Sequence, residues 1–307
     1  MKFYIMKRTI ITLALINILL IIPALSLAQK DKLIEFTLST DKMNYVLGEP
    51  VIITATIRNI HADSVKIIPH FRPRFGLTKY KISKNNNKDI NLTPIFYIDA
   101  DFNAVSLNSG DSVSQFVPIF AYSEGPVFTE PGTYKISAEY LGIQNTNSLE
   151  IFIEPPQTEE ERMASNYMLE PEVTLFMFVR GAKTLTKAQR LLAEITEKFQ
   201  GTRLYPYANA TMGMYYSQFA QTSKDKNQTK LELNKAINHL TSSLESDITP
   251  YYKINTYYHL INSYLKNNDK YKAIATLDKF EKVYKADKRA SVYLKQCKTK
   301  IIASGGL

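Results

Sequence analysis

The chain has 307 residues and a formal net charge of +9, from 38 Lys and Arg against 29 Asp and Glu. Its single cysteine, Cys297, excludes an intrachain disulfide, and its 11 glycines leave little backbone to cradle a phosphate. The length is sufficient for two ordinary domains.

A secretory signal peptide is predicted for residues 1–28. Three basic residues precede an apolar run over residues 10–22, and Ser26-Leu27-Ala28 places small residues at the two positions that a signal peptidase reads. The run is shorter than the roughly 20 residues of a membrane-spanning helix, although an uncleaved N-terminal anchor is the alternative. No later segment is long and apolar enough to span a bilayer. Together with the lone cysteine, these features predict a secreted bacterial protein of the periplasm or cell surface.

Residues 29–154 have the period-two pattern of β-strands. Apolar residues alternate with polar ones in several short runs separated by turn residues, as at Val51–Ile57, Tyr134–Tyr140 and Leu149–Ile153. One buried face and one solvated face per strand predict two sheets packed together.

A short linker, residues 155–158, separates this half from a helical half at residues 159–307. Pro155-Pro156 cannot donate backbone hydrogen bonds, and Thr158 followed by Glu161 forms a capping box that opens a helix. The fold class predicted is therefore multidomain, with an antiparallel β-sandwich before an α-helical domain.

Two segments of the β half resemble immunoglobulin-like domains. Glu130-Pro131-Gly132-Thr133-Tyr134 resembles the tyrosine corner of that fold, and Tyr45 followed by Gly48-Glu49-Pro50-Val51 resembles the early turn and strand of bacterial extracellular members. The resemblance covers roughly residues 31–154 and implies a sandwich. It says little about activity, because this fold carries many functions.

The helical half resembles the tetratricopeptide repeat family. Residues 256–285 read as two amphipathic helices around Asn267-Asn268-Asp269, and Tyr264 and Ala273 are spaced as in that repeat. Gly213, Tyr216, Ala236 and Leu240 match the same positions upstream, and a fainter third match runs from Leu175 to Leu192. About three stacked hairpins are expected, with an ordinary helical bundle as the alternative.

In that family the inner helices line a groove that binds a protein or peptide. Counted from Tyr216 and Tyr264, the resemblance implies that the partner-binding groove of this chain is lined by Tyr207, Met214, Gln218, Asn255, Tyr258, Asn262 and Lys266.

No constellation of catalytic or metal-binding residues is recognisable. The four histidines lack the spacing of a metal pair, and there is no nucleophile elbow or glycine-rich phosphate loop. We therefore predict a non-enzymatic protein without a metal or cofactor, although a dispersed carboxylate site stays open as an alternative.

Positive charge is concentrated in the helical half, where residues 156–307 contain 23 Lys and Arg against 15 Asp and Glu. The secretion signal disfavours nucleic acid, so an acidic partner protein or an anionic envelope surface fits this charge, as does a simple solvated face. The hypothesis is a scaffold that binds a protein partner in the groove. The alternative is a carbohydrate or envelope-polymer binder that uses a sandwich loop containing Phe71, Arg72 and Arg74.

Overall fold

A computed structural model describes residues 33–84, 89–98, 103–145, 147–222 and 225–305. The predicted signal peptide lies outside the described residues. Within these ranges no helix has the length and apolar content needed to cross a bilayer. A β region (residues 33–154) is followed by a helical region (residues 159–303), which confirms the predicted order of a β part before an α part.

The β region is built from short strands, as the period-two pattern predicts. Their bounds are β1 Ile34–Thr40, β2 Asn44–Val46, β3 Ile52–Asn59, β4 Val65–Ile67, β5 Thr78–Lys84, β6 Ile90–Asn91, β7 Val105–Leu107, β8 Ser112–Pro118, β9 Ala121–Tyr122, β10 Gly125–Pro126, β11 Gly132–Tyr140, β12 Ile143–Gln144 and β13 Leu149–Glu154.

Two principal sheets share one hydrophobic core. The first has the strand order β1-β3-β8, and the second has the order β2-β13-β11-β5-β6. All neighbours in these two sheets are antiparallel except β13 and β2, which run parallel. Phe36, Ile57, Ile82 and Ile136 from the two sheets are each fully buried in the same cluster.

The alternation predicted for one buried face holds for β11 but not for β3. In β11 Tyr134, Ile136, Ala138 and Tyr140 are buried, whereas in β3 even Ile52, on the face opposite the sheet core, is 1% exposed. Ile52 packs in the hydrophobic cluster of the helical region. The second face of this sheet is therefore covered by helices, which a strand pattern alone does not reveal.

Tyr134 closes the turn before β11. Its hydroxyl donates a 2.9 Å hydrogen bond to the Glu130 carbonyl, and its ring meets Phe128 edge-on. Replacing Tyr134 with phenylalanine is expected to lower the free energy of unfolding by about 1 kcal/mol, because one part-buried hydrogen bond is lost while the ring packing is kept. Chemical denaturation measures this, with Tyr271→Phe as the control, since Tyr271 is 84% exposed. Equal stability of the two variants would contradict the expectation.

Eight α-helices follow within the described residues. They are α1 Glu159–Met168, α2 Pro171–Val179, α3 Thr186–Lys198, α4 Tyr205–Thr222, α5 Lys226–Leu244, α6 Pro250–Lys266, α7 Lys270–Tyr284 and α8 Ser291–Ala303. The predicted cap opens α1, where Thr158 accepts the amide of Glu161 at 3.1 Å. The predicted hairpin is also present as α6 and α7, whose Tyr257 and Phe280 rings stack 5.1 Å apart.

The β and helical regions are joined by more than the linker. Val46, Ile52, Phe116 and Phe120 of the β region belong to the same buried cluster as the helical core. Polar contacts cross the junction as well: Tyr207 donates to the buried carboxylate of Glu49, and Arg289 donates to Thr54 at 2.8 Å. The two regions therefore share a packed interface, and the site described next lies in it.

Candidate functional site

A pocket lined by three arginines lies between the β and helical regions. Its volume is about 340 Å³, within the size range of small-molecule sites. We call it the arginine pocket. Its polar lining is Arg72, Arg74, Arg180, Gln218 and Tyr251, and its apolar walls are Pro73, Leu92, Pro94, Phe96, Pro118, Ala121, Phe178 and Val179.

Arg72 and Arg74 are positioned by a short turn of the β region. Pro73 begins a 3₁₀ turn, Pro73–Phe75, and Gly76 ends it with a left-handed φ of 73° that returns its amide to the Pro73 carbonyl at 2.9 Å. The turn is anchored by Phe71, which is fully buried and whose carbonyl accepts the Tyr80 hydroxyl at 2.8 Å. With its base fixed in the β core, the turn directs both guanidinium groups to the interface.

Arg180 is presented by the C-terminal end of α2. It has a left-handed φ of 62°, and the next residue, Gly181, donates its amide to the Phe176 carbonyl at 2.8 Å. A Cβ at Gly181 would lie 2.6 Å from Cδ2 of Tyr215, so a glycine is required there. This sharp helix end turns the Arg180 side chain into the pocket.

Tyr251 is the point on which the three arginines converge. Its hydroxyl accepts a 2.9 Å hydrogen bond from Nη2 of Arg180, and its ring meets Phe116 edge-on at 5.7 Å. Burial alone would raise the pKa of Tyr251, but the positive charges of Arg180, Arg72 and Arg74 together lower it below the ordinary value. The lowered pKa reflects a strongly positive potential inside the pocket.

This positive charge is not neutralised within the described part of the chain. No ion pair of Arg72, Arg74 or Arg180 with a carboxylate is found there, and the buried Nε of Arg74 has no hydrogen-bond partner. Burial and the neighbouring Arg72 lower the pKa of Arg74, although it stays protonated at any physiological pH. A buried N–H without an acceptor costs free energy unless a ligand supplies the acceptor.

Arg289, at the same interface, is paired with carboxylates. Its guanidinium pairs with Asp287 at 2.8 Å and with Asp41 at 3.5 Å, and it lies 4.2 Å from the Phe116 ring centroid. This arginine holds the two regions together through carboxylates. The three in the pocket have no carboxylate partner among the described residues: Arg180 donates to the Tyr251 hydroxyl, and Arg72 donates to the Phe116 carbonyl at 3.4 Å.

A second cavity opens beside the arginine pocket and shares Arg72 and Arg74 with it. We call this cavity the outer cleft. Its volume is about 480 Å³, and it is lined by Pro69, His70, Arg72, Arg74, Phe75, Val113, Ser114, Gln115, Phe116, Lys288, Arg289, Ser291, Val292 and Tyr293. Neither cavity has an aspartate or glutamate among its described lining residues.

The three residues of the predicted binding loop lie in two different surroundings. Arg72 and Arg74 both line the arginine pocket, but Phe71 faces the β core at 0% exposure. The expectation that Phe71 contacts a ligand is corrected, because its ring packs against Phe36 and Tyr140.

The groove implied by the repeat resemblance is not open at its centre. Tyr207, Met214 and Asn255 are at most 2% exposed, so their expected role as contact residues is corrected. The physical reason is that α4 and α6 pack against the β region and against each other. Tyr207, for example, bonds Glu49 and meets Tyr252 edge-on at 5.1 Å.

The outer groove positions are engaged by neighbouring elements. Nζ of Lys300, from α8, donates to the Tyr258 hydroxyl at 3.1 Å and to Asn262 Oδ1 at 2.7 Å. Lys266 is exposed and donates to the Ala220 carbonyl at 2.7 Å. Of the seven groove positions, Gln218 alone lines the arginine pocket.

Arg180 and Tyr251 were not identified as site residues by sequence reasoning. Both lie at helix ends, and they meet only because α2 and α6 approach the same face of the β region. The Arg180-Gly181 pair after an apolar helix is the one local signal, and it is typical of an ordinary helix end.

A metal site has no support in the described ranges, where no three His, Cys, Asp or Glu side chains cluster around one point. The pocket itself offers guanidinium, amide and phenol groups. Such a donor set suits an anion and not a cation.

No protein family matches the chain, and no curated protein matches it. A β-glucosidase from Erythrobacter marinus is 15% identical, with a TM-score of 0.24, over 40% of this chain and 15% of that one. A β-glucosidase from Listeria innocua in complex with gluconolactone is 17% identical, with the same TM-score, over 39% of this chain and 16% of the enzyme. The chain thus spans about one sixth of these enzymes' length, and similarity at this level carries no argument about fold or activity.

Proposed function

We propose that this protein is a secreted, non-enzymatic binding protein whose ligand carries a carboxylate, or a similar anion, on an apolar body. The ligand occupies the arginine pocket. The observation that carries the proposal is the convergence of Arg72, Arg74 and Arg180, without a carboxylate partner among the described residues, on one walled pocket between the two regions.

Repulsion among the arginines of the pocket supports an anionic ligand. The positive charges of Arg72 and Arg180 disfavour the charged form of Arg74, so the guanidinium groups repel one another. A protein selected for stability alone would gain by replacing one of them, so retained repulsion is typical of a functional site. A carboxylate would remove the repulsion and accept bidentate hydrogen bonds from the guanidinium groups.

The lining also favours binding over catalysis. The described lining of the arginine pocket contains no Asp, Glu, His, Cys, Ser or Lys that could act as a nucleophile or as a general base. Its one titratable acid is Tyr251, and the Tyr251 oxygen already accepts a hydrogen bond from Arg180.

An immunoglobulin-like sandwich and a tetratricopeptide-like array remain the fold families proposed here. The parallel pairing of β2 with β13 and the hydrogen bond from Tyr134 to Glu130 support the first. The close approach of Gly213 to Leu240 and the stacked hairpin of α6 and α7 support the second. A periplasmic or cell-surface location rests on the predicted signal peptide.

A neutral carbohydrate is a weaker candidate for this pocket. Sugar hydroxyls need many hydrogen-bond acceptors, and the side chains of the described lining supply only the Gln218 amide and the Tyr251 hydroxyl. The walls are instead proline, leucine, phenylalanine, valine and alanine. This lining therefore fits an apolar acid better than a glycan.

The test uses 4-methylpentanoate and its neutral amide, two molecules of almost the same shape. At about 100 times its dissociation constant the acid should stabilise the folded protein by about 2.7 kcal/mol, which raises Tm by several degrees. The amide should leave Tm unchanged, because it lacks the charge that the arginines recognise. Differential scanning calorimetry measures both.

The control protein is Arg74→Gln. This variant should be at least as stable as the parent without ligand, because it removes a repelling charge, and it should lose the carboxylate-dependent rise in Tm. Equal shifts with acid and amide, or an unchanged shift in Arg74→Gln, would overturn the proposed site.

A further inference from the structure

Resting on the proposed function, we infer that the ligand is the C-terminal residue of a partner polypeptide. Its α-carboxylate binds Arg72, Arg74 and Arg180, its apolar side chain fills the arginine pocket, and the preceding residues lie in the outer cleft.

The arginine pocket and the outer cleft adjoin each other. Arg72 and Arg74 line both of them, so an anion held by these two side chains sits at the boundary. A ligand bound there has room on two sides, in the arginine pocket of about 340 Å³ and in the outer cleft of about 480 Å³. A small acid would use only the first.

A polypeptide C-terminus presents three different groups at one carbon atom. Its Cα carries the carboxylate, the side chain and the chain that leads away, and these three parts match three surroundings. The guanidinium groups match the carboxylate. The walls formed by Leu92, Phe96, Phe178 and Val179 match an apolar side chain. The open cleft matches the departing chain.

The outer cleft combines apolar and basic side chains. Its rim includes Val292, which is 62% exposed, and the exposed Lys288, while Phe75 contributes a further apolar face. Apolar and basic groups side by side suit the backbone and side chains of a peptide. The absence of acidic residues from the described lining also favours a partner with negative charge near its end.

The experiment compares the peptide acetyl-Gly-Ser-Leu, ending in a free carboxylate, with the same peptide ending in an amide. Calorimetric titration of the full chain should give at least tenfold tighter binding for the free acid than for the amide. The free acid should also bind at least tenfold tighter than 4-methylpentanoate, because the peptide occupies the cleft as well.

A matched pair of variants on α8 locates the peptide. Val292→Glu, at the cleft, should weaken binding of the peptide about tenfold and leave the affinity for 4-methylpentanoate unchanged. Ile302 lies on the same helix, is 59% exposed and does not line the cleft. Ile302→Glu should therefore change neither affinity. Arg74→Gln should weaken the binding of both acids at least tenfold.

The outcomes separate this inference from the proposed function. If 4-methylpentanoate binds in an Arg74-dependent manner but the peptide binds no more tightly, the pocket stands and the C-terminal ligand is rejected. Equal affinity of the peptide acid and the peptide amide also rejects it. If neither acid binds the parent, both the pocket and the C-terminal ligand fall.

Discussion

Replacing Arg203 with glutamine is expected to lower the free energy of unfolding by about 3 kcal/mol. Arg203 holds the carboxylate of Glu161 in a bidentate pair, at 2.8 and 2.9 Å, and also contacts Glu154 at the end of β13. The Glu161 side chain is 6% exposed, so removing its partner leaves a buried carboxylate without a counter-charge. The pair also ties α1 and the start of α4 to the last strand of the β region.

Chemical denaturation of Arg203→Gln measures this effect, and Arg162→Gln is the matched control. Arg162 forms a comparable pair with Glu159, but both side chains are mostly exposed, and such a pair contributes less than about 1 kcal/mol. Similar losses in the two variants would contradict the structural role given to Arg203.

The same pair predicts an acid-dependent loss of stability. Hydrogen bonds from Arg203 lower the pKa of Glu161 to about 2, against an ordinary value of 4.5. Because the pKa is depressed in the folded protein, this stabilisation is present above pH 4.5 and is lost as the pH falls toward 2. The loss over that interval should be smaller in Arg203→Gln than in the parent.

Replacing Gly213 with alanine is also expected to lower the free energy of unfolding substantially. In an isolated helix this change would stabilise by about 1 kcal/mol. In α4, however, the new Cβ would lie 2.6 Å from Cγ of Leu240 and 3.0 Å from its backbone nitrogen, where α4 and α5 approach most closely. The two helices must separate, and we expect a net loss of about 2 kcal/mol.

Thermal and chemical denaturation test this prediction, with Gly201→Ala as the control. No atom lies within 4 Å of a Cβ at Gly201, so that variant should keep the stability of the parent. A Gly213→Ala protein as stable as the parent would show that α4 and α5 do not pack as closely as described.

Local patterns in the sequence predict much of this fold. The alternation of Tyr134, Ile136, Ala138 and Tyr140 identifies the buried face of β11, because period-two burial is a property of the strand itself. Thr158 identifies the start of α1 because its capping hydrogen bond is to the amide of Glu161, only three residues away. The helical hairpin of α6 and α7 is predictable too, because the two helices are neighbours in the sequence.

The parts that could not be predicted depend on how the two regions meet. Ile52 is buried on the second face of β3, and Tyr207 is buried in the presumed groove, because each contacts the other region. The candidate site likewise depends on how the β region and the helical region pack together. Arg72 and Arg74 stand out in one loop, but Arg180 and Tyr251, which lie 106 to 179 positions further along the chain, join them only through interface packing.

The central claim is that the ligand site is the arginine pocket between the two regions and not the face of the helical array. Isothermal titration calorimetry of 4-methylpentanoate into the parent, Arg74→Gln and Lys266→Ala tests it most directly, since Lys266 is an exposed position of the predicted groove. We expect binding by the parent and by Lys266→Ala with equal affinity, and at least tenfold weaker binding by Arg74→Gln. Loss of binding in Lys266→Ala, with Arg74→Gln unaffected, would contradict the claim and return the site to the groove.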